Sequence, residues 1–167
     1  MKFYILHFYV FISVISFLTV SCRNSTEADL KEESSLEEQQ LEEFINEYYE
    51  TLSSRNWEEY RKFFWPKATI ATIWQEANDP APKVLINSIE EFILQTPQGP
   101  DSFPIFEENL KEIEFIKVKK GLAEIWATYE AKFGTKDNLM EWSGTDLFSL
   151  MKHNEEWRIS SMAFESD

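Results

Sequence analysis

Between residues 122 and 133 the chain alternates without a break. Ala123, Ile125, Ala127, Tyr129, Ala131 and Phe133 fall on one parity, and Glu124, Trp126, Thr128, Glu130 and Lys132 on the other. Successive strand side chains point to opposite faces, so this stretch buries one face and wets the other only as a β-strand. A mostly polar second face is the mark of an antiparallel sheet with one side toward the core. A different period appears upstream. Leu41, Phe44, Ile45, Tyr48, Tyr49 and Leu52 fall at i, i+3, i+4, i+7, i+8 and i+11, one continuous helical stripe. Ser34 with Glu37, or Ser35 with Glu38, offers a capping box at its start. The acidic residues there suit the positive end of the helix dipole.

The remaining elements follow from punctuation. Asn56 with Glu59 opens a second helix that carries Trp57, Tyr60 and Phe64 on one face, and Pro66 is expected to stop it. Residues 68–74 read as a strand rich in Thr and Ile. Asn78, Asp79, Pro80 and Pro82 make 75–82 a loop, and 83–86 a short strand beyond it. Ser88 with Glu91 caps a short helix with Ile89, Phe92 and Ile93 inward. Pro97, Gly99, Pro100 and Pro104 mark a long irregular segment. Residues 110–119 lead through a Lys119-Lys120-Gly121 turn into 122–133, with a hairpin loop at 134–138. The last two strands are 141–152 and 157–164, joined by His153-Asn154-Glu155-Glu156. The order is helix, helix, strand, short strand, helix, then three long meandering strands entered through 110–119, an α+β pattern.

Ahead of all this stands an apolar run at 3–21, preceded by Lys2 and followed by Cys22, the single cysteine. A positive residue, an apolar run and a small residue before a cut form the secretory pattern. The run is also long enough to span a bilayer. Three outcomes stand: a lipoprotein, an uncleaved signal anchor, or plain secretion. Leu18-Thr19-Val20-Ser21-Cys22 resembles the bacterial lipobox, which implies cleavage before Cys22 and a thioether-linked lipid on it. The resulting organisation is a signal peptide at 1–21, a lipidated cysteine and acidic tether at 22–33, and a folded domain at 34–167. Arg23 to Glu33 contains Leu30 as its only large apolar residue and reads as solvated. Its acids resemble the surface-export signal of some Bacteroidetes lipoproteins. The expected address is the bacterial cell envelope, at the outer membrane, held through the lipid on Cys22.

Composition excludes several functions. The formal net charge is −14, which leaves no basic footprint for nucleic acid and no basic patch for anionic lipid. One cysteine permits no intrachain disulfide and no thiolate zinc site. His153 is the only histidine after the signal, so no metal and no cofactor are expected. Four glycines supply no phosphate-binding loop, and no Gly-Xaa-Ser-Xaa-Gly elbow is present. Aromatics make up 16% of the chain, so most of it is expected to fold.

Three stretches carry a family resemblance. They are Asn56-Trp57-Glu58-Glu59-Tyr60-Arg61-Lys62-Phe63-Phe64-Trp65-Pro66-Lys67-Ala68-Thr69-Ile70; Lys120-Gly121-Leu122-Ala123-Glu124-Ile125-Trp126-Ala127; and Phe148-Ser149-Leu150-Met151-Lys152 with Glu156-Trp157-Arg158-Ile159. In this order and spacing, across residues 36–165, the chain resembles the nuclear transport factor 2-like superfamily, which includes SnoaL-like cyclases and ketosteroid isomerases. The resemblance implies a cone: three N-terminal helices packed on a strongly curved, mostly antiparallel sheet around a cavity. It leaves function open, because such folds host isomerases, hydrolases, cyclases and noncatalytic pockets.

Within that frame the cavity candidates are Tyr48, Tyr49, Trp74, Tyr129 and Asp146. Ketosteroid isomerase chemistry needs a carboxylate base with a tyrosine and a protonated acid as donors. Tyr48 or Tyr49 would supply the phenol, or both are simply core aromatics. Asp146 alternates with Phe148 and Leu150, and Glu124 with Trp126, so either is a candidate cavity acid; the alternative is solvent or a partner. The cyclase histidine has no counterpart, since His153 falls in a turn. Trp126 and Trp142 are interface candidates, with Trp142 expected to share the face of Trp126. The alternative is that the 97–104 segment covers Trp126. The sequence therefore points to an envelope-anchored, noncatalytic small-molecule-binding or scaffold domain. The alternatives are a cavity-based isomerase or hydrolase, and a protein-interaction module using the sheet face. Expected partners are the membrane, a second copy and a small apolar ligand. An open pocket with a buried, raised-pKa carboxylate would favour an enzyme, and a pocket filled by Phe, Trp and Ile a structural role.

Overall fold

The computed structural model describes residues 27–75 and 80–167. The signal segment and Cys22 lie outside the described residues, as do residues 76–79. Helix α1 spans Glu27–Ser54, so 27–33, expected as tether, is helical. Its stripe is the centre of the core: Leu41, Ile45, Tyr48, Tyr49 and Leu52 are buried, and Phe44 is half-buried with its ring 5.1 Å from that of Phe63. Arg55, at φ 57°, ends the helix. Helix α2 is one turn, Trp57–Tyr60, capped by Asn56, whose side chain accepts from the Glu59 N–H at 3.3 Å. A 3₁₀ turn at Arg61–Phe63 leads into strand β1, Phe64–Trp74. Pro66 therefore lies within a strand. It is tolerated because pairing is interrupted between Phe64 and Thr69, where Lys67 adopts φ 69° and no ladder donor is required.

Strand β2 is Lys83–Ser88, and helix α3 is Ile89–Gln95. The Ser88–Glu91 capping box closes in both directions, with Glu91 accepting from the Ser88 N–H at 2.8 Å. Then come four long strands: β3 Ile105–Lys119, β4 Leu122–Thr135, β5 Asn138–His153 and β6 Glu156–Ser166. Two-residue turns with positive φ join them at Lys120-Gly121 and Asn154-Glu155, which suits the right-handed twist of hairpins. Gly134, expected in a loop, is inside β4 and pairs with both Ile105 and Leu139.

The strands form one sheet in the order β2-β1-β6-β5-β4-β3. Among these strands only β1 and β6 run parallel. The alternation along β4 sets the faces. Ala123, Ile125, Ala127, Tyr129 and Ala131 are buried in the core shared with the α1 stripe, and Glu124, Trp126, Thr128 and Glu130 face outward. Their partners on β5 extend both faces: Asp146 and Phe148 inward, Leu147 outward. Among the described residues no helix is long and apolar enough to cross a membrane.

Candidate active site in the cone

The concave face of the sheet, α1, the short helices and Pro100 enclose a cavity of about 170 Å³. Tyr48, Tyr129 and Asp146, expected as cavity residues, line it, and so does Glu108. Tyr49 is buried behind it. Trp74 does not reach it. Its parity is that of Ile70, but it is the last residue of β1 and is 52% exposed. The expectation of Trp74 as a cavity residue is corrected accordingly. Glu124, the other acid considered, is exposed on the convex face.

Two hydrogen-bonded sets organise the walls. In the first, Tyr48 Oη lies 2.8 Å from Tyr60 Oη and donates to Met162 Sδ at 3.1 Å. A phenol carries one proton, so Tyr60 must be the donor to Tyr48. Burial pushes both phenols well above their ordinary pKa, so they stay neutral. This set is satisfied within the protein. In the second, Tyr49 Oη donates to Asp146 Oδ2 at 2.5 Å. Asp146 is 1% exposed, and burial lifts its pKa to about 7 against the opposing effect of the Tyr49 hydrogen bond. Burial, and then the negative charge of Asp146, lift Glu108 to about 8. Among the described residues no lysine, arginine or histidine lines the cavity.

Glu108 is held by its backbone. Ser53, at the end of α1, donates through Oγ to the Glu108 carbonyl and accepts from its N–H, both at 2.8 Å. Sequence reading missed this residue because the strand was expected to begin at Leu110. The signal was present: Phe106, Glu108 and Leu110 share one parity, and β3 keeps it by pairing Phe106 with Phe133 and Glu108 with Ala131. Two carboxyls that titrate near neutrality and repel one another separate into an ionised and a protonated partner. Such a pair can accept a proton at one oxygen and donate one from the other.

The irregular stretch beyond α3 closes the site. Trp57 Nε1 donates to Asp101 Oδ2 at 2.8 Å, and Pro100 reaches the cavity wall. This segment therefore does not cover Trp126, which is 44% exposed. Trp142 is corrected too. It pairs with Ala131, on the concave side, and packs half-buried on the core, opposite in face to Trp126. His153 is exposed at the β5–β6 turn, with its ring centre 6.1 Å from that of Trp65. No group of three or more metal-ligating side chains occurs among the described residues.

Comparison with known proteins places this geometry. A point variant of Rv3472 from Mycobacterium tuberculosis, described as a protein of unknown function, superposes with a TM-score of 0.67 at 14% identity, covering 82% of this chain and 75% of that one. The β subunit of benzoate 1,2-dioxygenase from Burkholderia mallei gives 0.58 at 9% identity over 85% and 91%. An NTF-2 like protein of unknown function from Silicibacter pomeroyi gives 0.57 at 16% identity over 80% and 98%. At these identities the likeness is one of fold, and the fold is the nuclear transport factor 2-like cone. No curated protein matches the chain. A family model described as "Putative lumazine-binding" matches residues 36–165, from the middle of α1 to the end of β6, and the chain belongs to that family.

Proposed function

We propose that this chain is a noncatalytic small-molecule-binding domain, carried at the bacterial envelope by a lipid on Cys22. The observation that carries the binding reading is the cavity: aromatic walls with two carboxyls turned into it. Its size sets the ligand. A cavity of roughly 150 Å³ accepts benzene, whereas pockets for larger compounds run to about 300 Å³ and beyond. About 170 Å³ therefore suits one ring with one or two polar groups. The family description names lumazine, a fused two-ring compound. Admitting it would require the segment around Pro100 to move. Calorimetric titration of the full-length protein with benzyl alcohol and with lumazine tests both points. Saturable binding of benzyl alcohol, lost in Leu52→Trp, which fills the cavity from its α1 wall, is expected. Identical heats for wild type and variant would remove the cavity as the site.

The anchor has its own test. Palmitate labelling in a bacterial host is expected for the wild type and not for Cys22→Ser, and equal labelling would remove the lipid.

One observation favours a cavity-based isomerase: Asp146 and Glu108 line one cavity, where burial raises both carboxyls above the ordinary carboxylate range. Hydrogen–deuterium exchange next to the carbonyl of cyclopentanone would reveal it, as a rate above background that Asp146→Asn abolishes. A background rate supports the noncatalytic reading.

A third reading, association through the convex face, is favoured by an apolar row across five strands. Trp126 pairs with Leu147, Leu147 with Ala163, Ala163 with Ala71, and Ala71 with Ile86. The proposed occupant is a second copy, because a two-fold interface is self-complementary.

A further inference from the structure

What the pocket selects, which rests on the binding reading proposed above, is decided by its walls. Glu108 and Asp146 enter one cavity, and their surroundings supply no compensating charge among the described residues. From α1 they face the phenols of Tyr48 and Tyr49, from α2 that of Tyr60, and from β4 that of Tyr129; none of these is cationic. The nearby cation on α1's end is otherwise occupied. Arg55 lies 5.8 Å from the centre of the Phe106 ring and donates to the Pro104 carbonyl at 3.1 Å. Asp146 uses one oxygen on Tyr49. Among the described residues the Glu108 carboxyl has neither a hydrogen bond nor an ion pair, although the residue is half-buried and lines the cavity. An unpaired carboxyl turned away from bulk water is costly to ionise, and the described residues hold no group to repay this.

A ligand can repay it. Most of the remaining wall is aromatic, from Tyr48, Tyr60, Phe92, Phe106, Tyr129 and Phe164, and the rest is apolar. Ring faces carry negative potential and attract cations, more strongly where water is excluded. The walls and the two acids thus favour the same charge. The whole molecule favours it as well, since a net charge of −14 concentrates cations around it. An anion would meet two carboxyls and six rings. A neutral ring would fill the space and leave Glu108 unpaired.

We propose that the cavity is a site for a small organic cation, a primary ammonium on a single apolar ring or its aliphatic equivalent, with the ammonium between Glu108 and Asp146 and the apolar body against the aromatic wall. Binding then takes place with loss of protons. The empty pocket holds its carboxyls partly protonated near neutrality, and an ammonium stabilises the ionised forms. Affinity should rise with pH through the range about 6 to 8 and fall again once the amine itself loses its charge.

The test uses three probes of similar shape, benzylammonium, benzyl alcohol and benzoate, titrated calorimetrically into the full-length protein at about pH 6 and about pH 8. At the higher pH benzylammonium is expected to bind at least about tenfold tighter than benzyl alcohol, and benzoate to bind weakest. The advantage should shrink at the lower pH. Two buffers of different ionisation heat should report proton release on benzylammonium binding alone. Glu108→Gln, whose fold is checked by circular dichroism, should erase the ammonium preference and keep benzyl alcohol affinity within about threefold. Asp146→Asn serves if that variant does not fold. Glu124→Gln, on the convex face, should change nothing, which separates the pocket from general attraction to an acidic protein. Benzyl alcohol or benzoate binding as tightly as benzylammonium at about pH 8 would overturn the cation site and leave the pocket. Binding of none of the three would overturn the pocket reading itself, and the cation site with it.

Discussion

The two faces of the sheet treat the same chemistry in opposite ways. On the convex face Glu130 meets Lys111 at 2.6 Å and Lys132 meets Glu141 at 3.5 Å, and water surrounds all four. Such pairs contribute little, and so does their loss. On the concave face Glu108 and Asp146 have no cation among the described residues, and burial sets their ionisation near neutral pH. Neighbouring residues on one strand, Tyr129 and Glu130, belong to these two regimes. Strand parity, not residue type, decides whether a carboxyl is a solubilising group or a chemical one.

The largest effect should come from the centre of the concave side. Tyr48 is 0% exposed, and its ring centre lies 5.1 Å from that of Phe148 and 5.3 Å from that of Tyr60. Tyr48→Ala is expected to cost roughly 3–5 kcal/mol in chemical denaturation. Tyr48→Phe removes only the hydroxyl and orphans the Tyr60 donor, which should cost about 1–2 kcal/mol. Equal losses for the two variants would mean the polar set, not the packing, holds this region.

The second effect concerns pH. Asp146 and Glu108 have folded pKa values raised above those of an unfolded chain. The folded state therefore binds more protons than the unfolded state between about pH 4 and pH 8, and stability falls as pH rises through that window. For Asp146, moved from an ordinary 3.8 to about 7, the full span is of order 4 kcal/mol. The melting temperature should drop between about pH 4 and pH 8. Asp146→Asn should flatten the curve and exceed the wild type at the alkaline end. Parallel curves for wild type and variant would mean Asp146 titrates like a surface acid.

A smaller effect tests how Tyr129 is seated. It pairs with Gly144 across β4 and β5, and a Cβ on Gly144 would collide with the Tyr129 ring and also with the Glu165 backbone carbonyl. Gly144→Ala must push the ring, at a cost of roughly 1–3 kcal/mol. The phenol's 3.4 Å contact with Ser166 should break at the same time. Gly144→Ala with wild-type stability would show that both the ring and the β6 backbone at Glu165 have room to move.

This division was only partly legible in the sequence. Period two on β4 and the helical stripe of α1 place Asp146, Tyr48, Tyr49 and Tyr129 near the core, because each is a local signal repeated over many residues. Glu108 was hidden by the prolines before it, which read as loop up to Leu110, although β3 begins at Ile105. Trp74 and Trp142 fail for another reason. Parity gives a residue's face, but whether anything covers that face depends on where strands end and how they register. Trp74 is left exposed at the end of β1, and the register to Ala131 turns Trp142 inward.

The smallest effect on stability should come from the convex face, and it carries the sharpest contrast. Trp126 is 44% exposed, so Trp126→Glu should change monomer stability by no more than about 0.5 kcal/mol. Its place in the apolar row through Leu147, Ala163 and Ala71 would matter only if a second copy covers it. The flanking row of Glu124, Ser149, Ser161 and Thr69 is polar, and Glu124 would meet its own symmetry mate or the rim. Like charges brought together repel, and salt screens them, so association should tighten as ionic strength rises. Sedimentation of a fragment spanning residues 27–167 should show a weak dimer that strengthens with salt and is absent in Trp126→Glu. A dimer that persists in Trp126→Glu would move the interface off this face. Monomers for both proteins at every concentration and salt would leave the convex face a solvated surface and the concave cavity the single functional one.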